Sequence, residues 1–258
     1  MKILGLSGRK QSGKNTICNY IFGSTLVDLG ILVHRDIDAE GRLIGKALIH
    51  DEVTNENKYQ TNYVDPMSRD QQMQELFSKY VWPFIKIYSF ADPLKEFCIN
   101  VMGLTEEQCY GTNEDKNSPT QYTWGDFSFC LDPLQIDGFH DEHMTARDIL
   151  QVFGTDVMRK IYNNIWVQAT INRILRNQSD LSIVCDVRFP NEVKGIQDAG
   201  GKVIRLLRAP FANEDQHTSE TALDNYEEFD ITIDNRELTI SQTNQKIVET
   251  LLSWGWEE

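Results

Sequence analysis

The sequence predicts an α/β protein built on a doubly wound parallel sheet, and three observations carry that reading. The apolar run Ile3-Leu-Gly-Leu-Ser7 feeds a glycine loop and then a helix-like segment. Leu181–Val187 reads as one continuous apolar run ending at Asp186, the profile of a strand covered on both faces. Strand-like and helix-like segments alternate along much of the chain, as they do where crossover helices join parallel strands. In such sheets ligands gather at the carboxyl ends of the strands. Chemistry is therefore expected in three segments that each follow a strand: Gly8–Lys14, Asp92–Lys95 and Asp186–Glu192.

The first strand ends in Gly8-x-x-x-x-Gly13-Lys14, the spacing of a loop that cradles phosphates. Its glycines let successive N–H groups turn inward, and the following helix adds its positive N-terminal end. A Gly-rich turn before a core helix is the alternative reading. Gly8, Lys10, Ser12, Gly13, Lys14, Asn15 and Thr16 are the expected nucleotide contacts, with Lys14 reaching the β- and γ-phosphates. The hydroxyl that ordinarily ligates magnesium directly after the lysine is replaced by Asn15, and a hydroxyl follows only at Thr16. Magnesium is assigned to these two, although a carboxamide oxygen is the poorer ligand. The loop makes the sheet one of the P-loop NTPase/kinase type, with helical insertions and a lid.

Lys14–Phe22 sets Ile17, Cys18, Ile21 and Phe22 on one helical face. Residues 34–86 are polar and read as an insertion outside the sheet, with Met73, Leu76, Phe77 and Tyr80 aligned near its end. Ile85–Phe90 alternates as a short strand. Asp92 is expected as the N-cap of a helix with Pro93 at its first position, running to about Met102. Residues 104–144, dense in glycine, proline and acids, read as a second insertion with little regular structure, part of a substrate flap. Thr145-Ala-Arg-Asp148 is a capping box that opens a helix with Ile149, Leu150, Val152 and Phe153 inward. Gly154-Thr155-Asp156 interrupts that helical pattern ahead of Arg159-Lys160, and a second helix follows at Trp166–Arg176. Beyond the strand at 181–187 come a helix from Pro190 to Gly200-Gly201, strands at Val203–Leu207 and Ile231–Ile233, and a helix at Ser241–Leu252. That last helix turns Ile247, Val248, Leu251 and Leu252 inward. The organisation expected is one domain over 1–258, with insertions at about 34–86 and 104–144 and a lid-like loop at about 209–221.

With 25 lysines and arginines against 39 acids, the net charge is −14. A surface so acidic argues against binding a nucleic-acid polymer, which needs many cations along the backbone. A mononucleotide needs only a few, focused in one cleft. Cys18, Cys98, Cys109, Cys130 and Cys185 contain no C-x-x-C pair and suggest neither a disulfide framework nor a zinc site. Cys18, Cys98 and Cys185 read as small buried hydrophobes. No apolar run nears 18 residues and no signal peptide is evident, so no membrane contact and a cytoplasmic setting are expected.

Asp186, at the end of the most apolar strand, is placed to hold magnesium's water shell or to orient a second substrate; capping the next helix is the plainer role. Arg188 offers a fork of donors to a phosphate. Glu192 could accept from a ring N–H or a sugar hydroxyl, or simply pair with Arg188. Lys95 and Arg147 each stand in a helix's first turn, where a cation opposes the helix dipole but suits an incoming phosphate; a plain exposed cation is the equal alternative. Trp166 is open between a base platform and a core residue. Arg205 and Arg208 border the lid and could close over ATP phosphates. His217 and Glu220 lie within it and could equally be solvated. Transfer between phosphates needs no general base, since the incoming oxygen is already charged; positioning and charge neutralisation carry it.

Taken together, Gly8-x4-Gly-Lys-Asn-Thr, Ala91-Asp-Pro-Leu-Lys95, Gln151-Val-Phe-Gly-Thr-Asp156, Trp166-Val, Asp186-Val-Arg-Phe-Pro-Asn-Glu192 and His217-Thr-Ser-Glu220 resemble the bacteriophage-type deoxynucleoside monophosphate kinases. That family usually has an acid where Asn15 stands, which suggests that magnesium is held differently here. The resemblance implies transfer of the γ-phosphoryl group of ATP to a (deoxy)nucleoside 5′-monophosphate, giving a diphosphate for DNA precursor supply. It implies catalytic roles for Lys14, Asp186 and Arg188, and ATP contacts at Gly8–Thr16 and Arg205. Leu94, Lys95, Arg147, Gly154, Thr155, Trp166, Asp186, Arg188 and Glu192 would line the acceptor pocket. Family members are often homodimers, which the sequence itself neither supports nor excludes. Two other readings share the loop. Animal-type phosphomevalonate kinases carry a similar one, but their acceptor needs cations rather than an aromatic platform. A non-catalytic nucleotide-binding module is the other, and Asn15 is the residue that most favours it.

Overall fold

Along the chain, β1 (Lys2–Ser7) and α1 (Lys14–Asp28) come first, then β2 (His34–Ile37), β3 (Leu43–Asp51) and β4 (Glu56–Val64). Next are α2 (Gln71–Tyr80), β5 (Ile85–Tyr88), α3 (Asp92–Asn100), α4 (Glu106–Tyr110), α5 (Asn113–Lys116) and β6 (Pro119–Thr123). A 3-10 turn at Trp124–Phe127 precedes β7 (His143–Thr145) and α6 (Ala146–Gln151). α6 runs on as a π-helical stretch, Val152–Met158, and a last turn, Arg159–Ile161. α7 (Ile165–Asn177), β8 (Leu181–Val187), α8 (Pro190–Asp198), β9 (Lys202–Leu206), β10 (Ile231–Ile233) and α9 (Ile240–Ser253) complete the fold. This computed structural model describes residues 1–51, 55–129, 140–209 and 221–256. Two units are distinct: Met1–Ser89 with Ile171–Glu258, and Phe90–Thr170.

The first unit holds a five-stranded sheet in the order β10-β9-β1-β8-β5, every pairing parallel. β1 is central, and five of its six residues are buried. Leu4, Leu6, Ile17, Phe22, Ile183, Ile204 and Ile247 form one core with the helices; each such side chain contributes about 1.5–3 kcal/mol when fully buried. Because all five strands run the same way, Ser7, Tyr88, Val187 and Leu206 finish at one edge, and the functional segments of this unit start there.

The sequence gives no sign of the second sheet in this unit, the antiparallel β2-β3-β4. β4 is exposed along nearly its whole length, so no apolar alternation marks it; cross-strand pairing holds it instead. Within 34–86, α2 forms as expected, but Phe77 is its only buried residue and meets Phe22 edge-on at 5.4 Å. Met73, Leu76 and Tyr80 are exposed. α1 extends six residues past the expected Phe22, to Asp28. In α9, Ile247 is buried, but Leu252 faces solvent, and Thr243, Asn244 and Thr250 are covered in its place.

The second unit has its own core: Leu94, Cys98, Cys109, Met144, Ile149, Val152 and Trp166, with Phe97 stacked on Phe153 at 5.0 Å. Its excursion is more regular than expected, because short threonine-capped turns replace long elements. Thr105 with Gln108, Thr112 with Asp115 and Thr123 with Asp126 each form a capping box. The box at Thr145–Asp148 forms as read, with Asp148 N–H donating to Thr145 Oγ1 at 3.2 Å. α3 differs by one residue: Ala91 is its N-cap, and Asp92 is already helical. The carboxylate of Asp92 accepts from Tyr110 Oη instead. Cys18, Cys98, Cys109 and Cys185 are buried thiols; Cys130 lies outside the described residues. Among the described residues, no helix is long and apolar enough to cross a membrane.

Candidate active site

At the carboxyl end of β1 the chain turns back on itself before entering α1. A Cβ on Gly8 would fall on the Ser12 hydroxyl and stand 3.2 Å from the Leu206 carbonyl, so a side chain here would displace Ser12. Gly13, the N-cap of α1, sits at φ 100°, which glycine adopts without strain. Lys14 folds into the curl with 8% exposure. Its Nζ donates to Gly8 O at 2.6 Å and Arg9 O at 2.8 Å, with Ser12 Oγ at 3.4 Å. The ammonium thus sits inside the ring of backbone that the motif predicts. Lys10 and Asn15 are exposed on the loop, while Thr16 turns its hydroxyl toward Gly41.

Two residues outside the motif brace this loop. Asn235, just past β10, is fully buried. It donates to Ser12 O and accepts from Arg208 N–H, both at 2.9 Å. Asp224 receives the Arg9 guanidinium on both oxygens and stands 3.6 Å from Arg205 Nη2. Arg205, buried in β9, also donates to Ser7 Oγ at 3.1 Å. Arg208 donates to the Leu238 carbonyl. Residues 210–220 of the lid-like loop, including His217 and Glu220, lie outside the described residues. No local signal in the sequence marks these braces, which the pairing of β9 with β1 and β10 brings to the loop.

Beside the loop, Asp186 is the penultimate residue of β8, and its Oδ2 accepts from Ser89 Oγ at 2.5 Å. Ser89 follows β5, the neighbour of β8, so parallel pairing alone brings these two together. Glu192 is 2% exposed. Its Oε2 accepts the Arg188 and Phe189 backbone N–H groups at 2.7 and 3.1 Å. A carboxylate there satisfies orphan donors and complements the positive end of α8. The helix-capping role thus falls to Glu192, and Asp186 is joined to Ser89. Asp186, Arg188 and the phosphate loop all belong to the first unit.

In the second unit the π-helical stretch contains Gly154-Thr155-Asp156, the point where the sequence loses helical periodicity. A Cβ on Gly154 would stand 2.5 Å from Leu94 Cδ2, so α3 packs directly against that turn. Trp166 is 6% exposed, and its Nε1–H donates to Gly154 O at 2.9 Å. Its indole therefore holds the π-turn in place from the core. Lys95 lies over the Tyr110 ring, 4.3 Å from the centroid. Arg147 donates to Asn113 Oδ1 at 3.0 Å. Among the described residues, no group of three or more His, Cys, Asp or Glu gathers as a metal site.

Residues 116–247 match the family model described as deoxynucleotide monophosphate kinase. A protein of Acanthamoeba polyphaga mimivirus that bears a deoxynucleotide monophosphate kinase name is 31% identical over 172 residues, covering 62% of this chain and 79% of that protein. The deoxynucleoside-5′-monophosphate kinase of Escherichia phage T5 is 26% identical over 177 residues, covering 53% of this chain and 71% of the phage protein.

Proposed function

This chain belongs to the deoxynucleotide monophosphate kinase family, and from that premise we propose that ATP is its phosphoryl donor and a deoxynucleoside 5′-monophosphate its acceptor. The observation that supports the donor assignment is the Lys14 ammonium held within the Gly8–Gly13 curl at the head of α1. Gly8–Thr16 would receive the ATP phosphates on backbone N–H groups, and Lys14 would exchange its loop carbonyls for β- and γ-oxygens. Arg205, held by Ser7 and Asp224 beside the loop, is the second cation proposed for ATP.

In the reaction an oxygen of the acceptor phosphate bonds to the γ-phosphorus as the bond to the β–γ bridging oxygen breaks. ADP leaves with that electron pair. No proton must be abstracted from the nucleophile, so the protein's task is alignment and charge neutralisation. Arg188 is proposed to hold acceptor phosphate, and Asp186, fixed by Ser89, to orient it. Glu192 serves by fixing the turn from which Arg188 projects. Leu94, Lys95, Arg147, Gly154, Thr155 and Trp166 are the acceptor residues proposed in the second unit, Trp166 through its support of the Gly154 turn.

Asn15, Thr16 and Asp186 supply only oxygen donors, the chemistry magnesium demands. Asn15, exposed at the loop's end, carries this assignment further than Thr16, which faces Gly41. Magnesium bound there would draw charge from the β- and γ-oxygens. By relation to phage and viral proteins we place the enzyme in an infected host's cytoplasm.

The test is an ADP-release assay with ATP, Mg²⁺ and a panel of deoxy- and ribonucleoside monophosphates, with phosphomevalonate as the outgroup. Release stimulated by one or more deoxynucleotides is the expected result. Silence across the nucleotides with ATP binding intact would sink the proposal.

A further inference from the structure

The second unit gathers three cations. Lys95 opens α3 and lies on Tyr110 of α4. Arg147 opens α6; its Nη2 is tied to Asn113, while its Nε is buried without a hydrogen-bond partner. Lys116 closes α5, the one-turn helix that Asn113 begins. α3, α4 and α5 all pack on α6, and this brings the three side chains into one field. Burial pushes the Lys116 ammonium below the ordinary lysine range, and the charges of Lys95 and Arg147 push it further.

Among the described residues, none of the three forms an ion pair with a carboxylate. Asp115, the neighbour of Lys116, is engaged by the Thr112 N–H and hydroxyl at 2.7 and 2.6 Å. Like charges so placed disfavour one another in a partly desolvated setting. A dianionic phosphate among them would reverse the sign of each interaction and give the Arg147 Nε–H an acceptor.

We propose that Lys116 is a phosphate-binding residue for the acceptor, acting with Lys95 and Arg147 on the 5′-phosphate of the deoxynucleoside monophosphate. This rests on the reading that Lys95 and Arg147 belong to the acceptor site, and adds a residue that the irregular look of 104–144 concealed.

The test compares Lys116→Gln, Lys116→Arg, Lys95→Gln and Arg147→Gln in the full chain. The probes are the deoxynucleoside monophosphate that wild type turns over fastest and the matching deoxynucleoside, which lacks the phosphate. Lys116→Gln is expected to raise the acceptor KM and calorimetric Kd at least tenfold. The ATP KM and the deoxynucleoside's inhibition constant should stay within twofold, and Lys116→Arg should recover most of the loss. If Lys116→Gln leaves the acceptor KM within twofold while the other two Gln variants raise it, the inference fails and the acceptor reading stands. If all three leave it unchanged, the second-unit acceptor reading itself fails. Equal weakening of nucleotide and deoxynucleoside, or a lowered thermal midpoint with no rescue by arginine, would assign Lys116 a merely structural role and overturn the proposal.

Discussion

Asn235→Ala tests the phosphate loop from a residue 223 positions away from its partner. The side chain is fully buried and makes two bonds of 2.9 Å, to Ser12 O and from Arg208 N–H. Truncation removes both. Each bond contributes about 1 kcal/mol net, and each polar group left buried without a partner costs about 1–3 kcal/mol. Partial relief by water at one of the two groups brings the expected loss to about 3 kcal/mol. That is a large share of a stability of about 5–15 kcal/mol, yet leaves the protein folded. For a chain of this size it lowers the thermal midpoint by roughly 6–12 °C. The Ser12 carbonyl lies between the two loop glycines, so releasing it loosens the curl proposed to receive ATP. Urea unfolding measures the first effect, and steady-state kinetics the second: the ATP KM should rise several-fold while the acceptor KM changes little. A loss under about 0.5 kcal/mol with an unchanged ATP KM would refute the brace.

Lys14→Ala should cut turnover by at least about 10²-fold, the scale of removing one preorganised donor from a developing charge. It should also lower the thermal midpoint by a few degrees, because Gly8 O and Arg9 O lose their donor; near-normal turnover would sink the loop's assignment. Arg188→Ala should raise the acceptor KM far more than the ATP KM in initial-rate measurements, and equal effects on both would remove Arg188 from the acceptor site. Acceptor affinity should decline on the alkaline side sooner than an ordinary lysine dictates. Lys116 is faced by Lys95 of α3, Cys109 of α4, Asp115 of α5 and Arg147 of α6, and its pKa is lowered. A bound phosphate raises it again, so binding takes up a proton between the two values and weakens as pH rises through the lower one. Calorimetry in buffers of different ionisation enthalpy reads that uptake directly, and its absence would detach Lys116 from the ligand.

The parts of this fold legible in the sequence are those governed by local rules. β1 with its glycine loop, β8, β10, the Thr145 capping box and the break at Gly154 each follow from residues within one or two turns of one another. The loss of periodicity at Gly154-Thr155-Asp156 is a π-helical stretch, a feature often found where a helix is shaped for function. Of the β2-β3-β4 sheet, β4 was not legible, because a strand exposed along nearly its whole length carries no apolar alternation. The excursion after residue 104 hid its short helices for a related reason: threonine boxes one turn long satisfy the backbone without an apolar face.

Site residues divide along the same line. Lys14, Asp186 and Arg188 are the residues proposed from motif, since each stands at a fixed offset from a strand end. Asn235 and Asp224 reach the loop across 223 and 215 positions, and no local pattern announces them. Parallel topology is what makes them available: strands that all finish at one edge deliver distant loops to the same place. It follows that a phosphate loop is only half specified by its own glycines and lysine. The other half comes from polar side chains past neighbouring strands: Asn235 holds the Ser12 carbonyl, and Asp224 holds the Arg9 guanidinium.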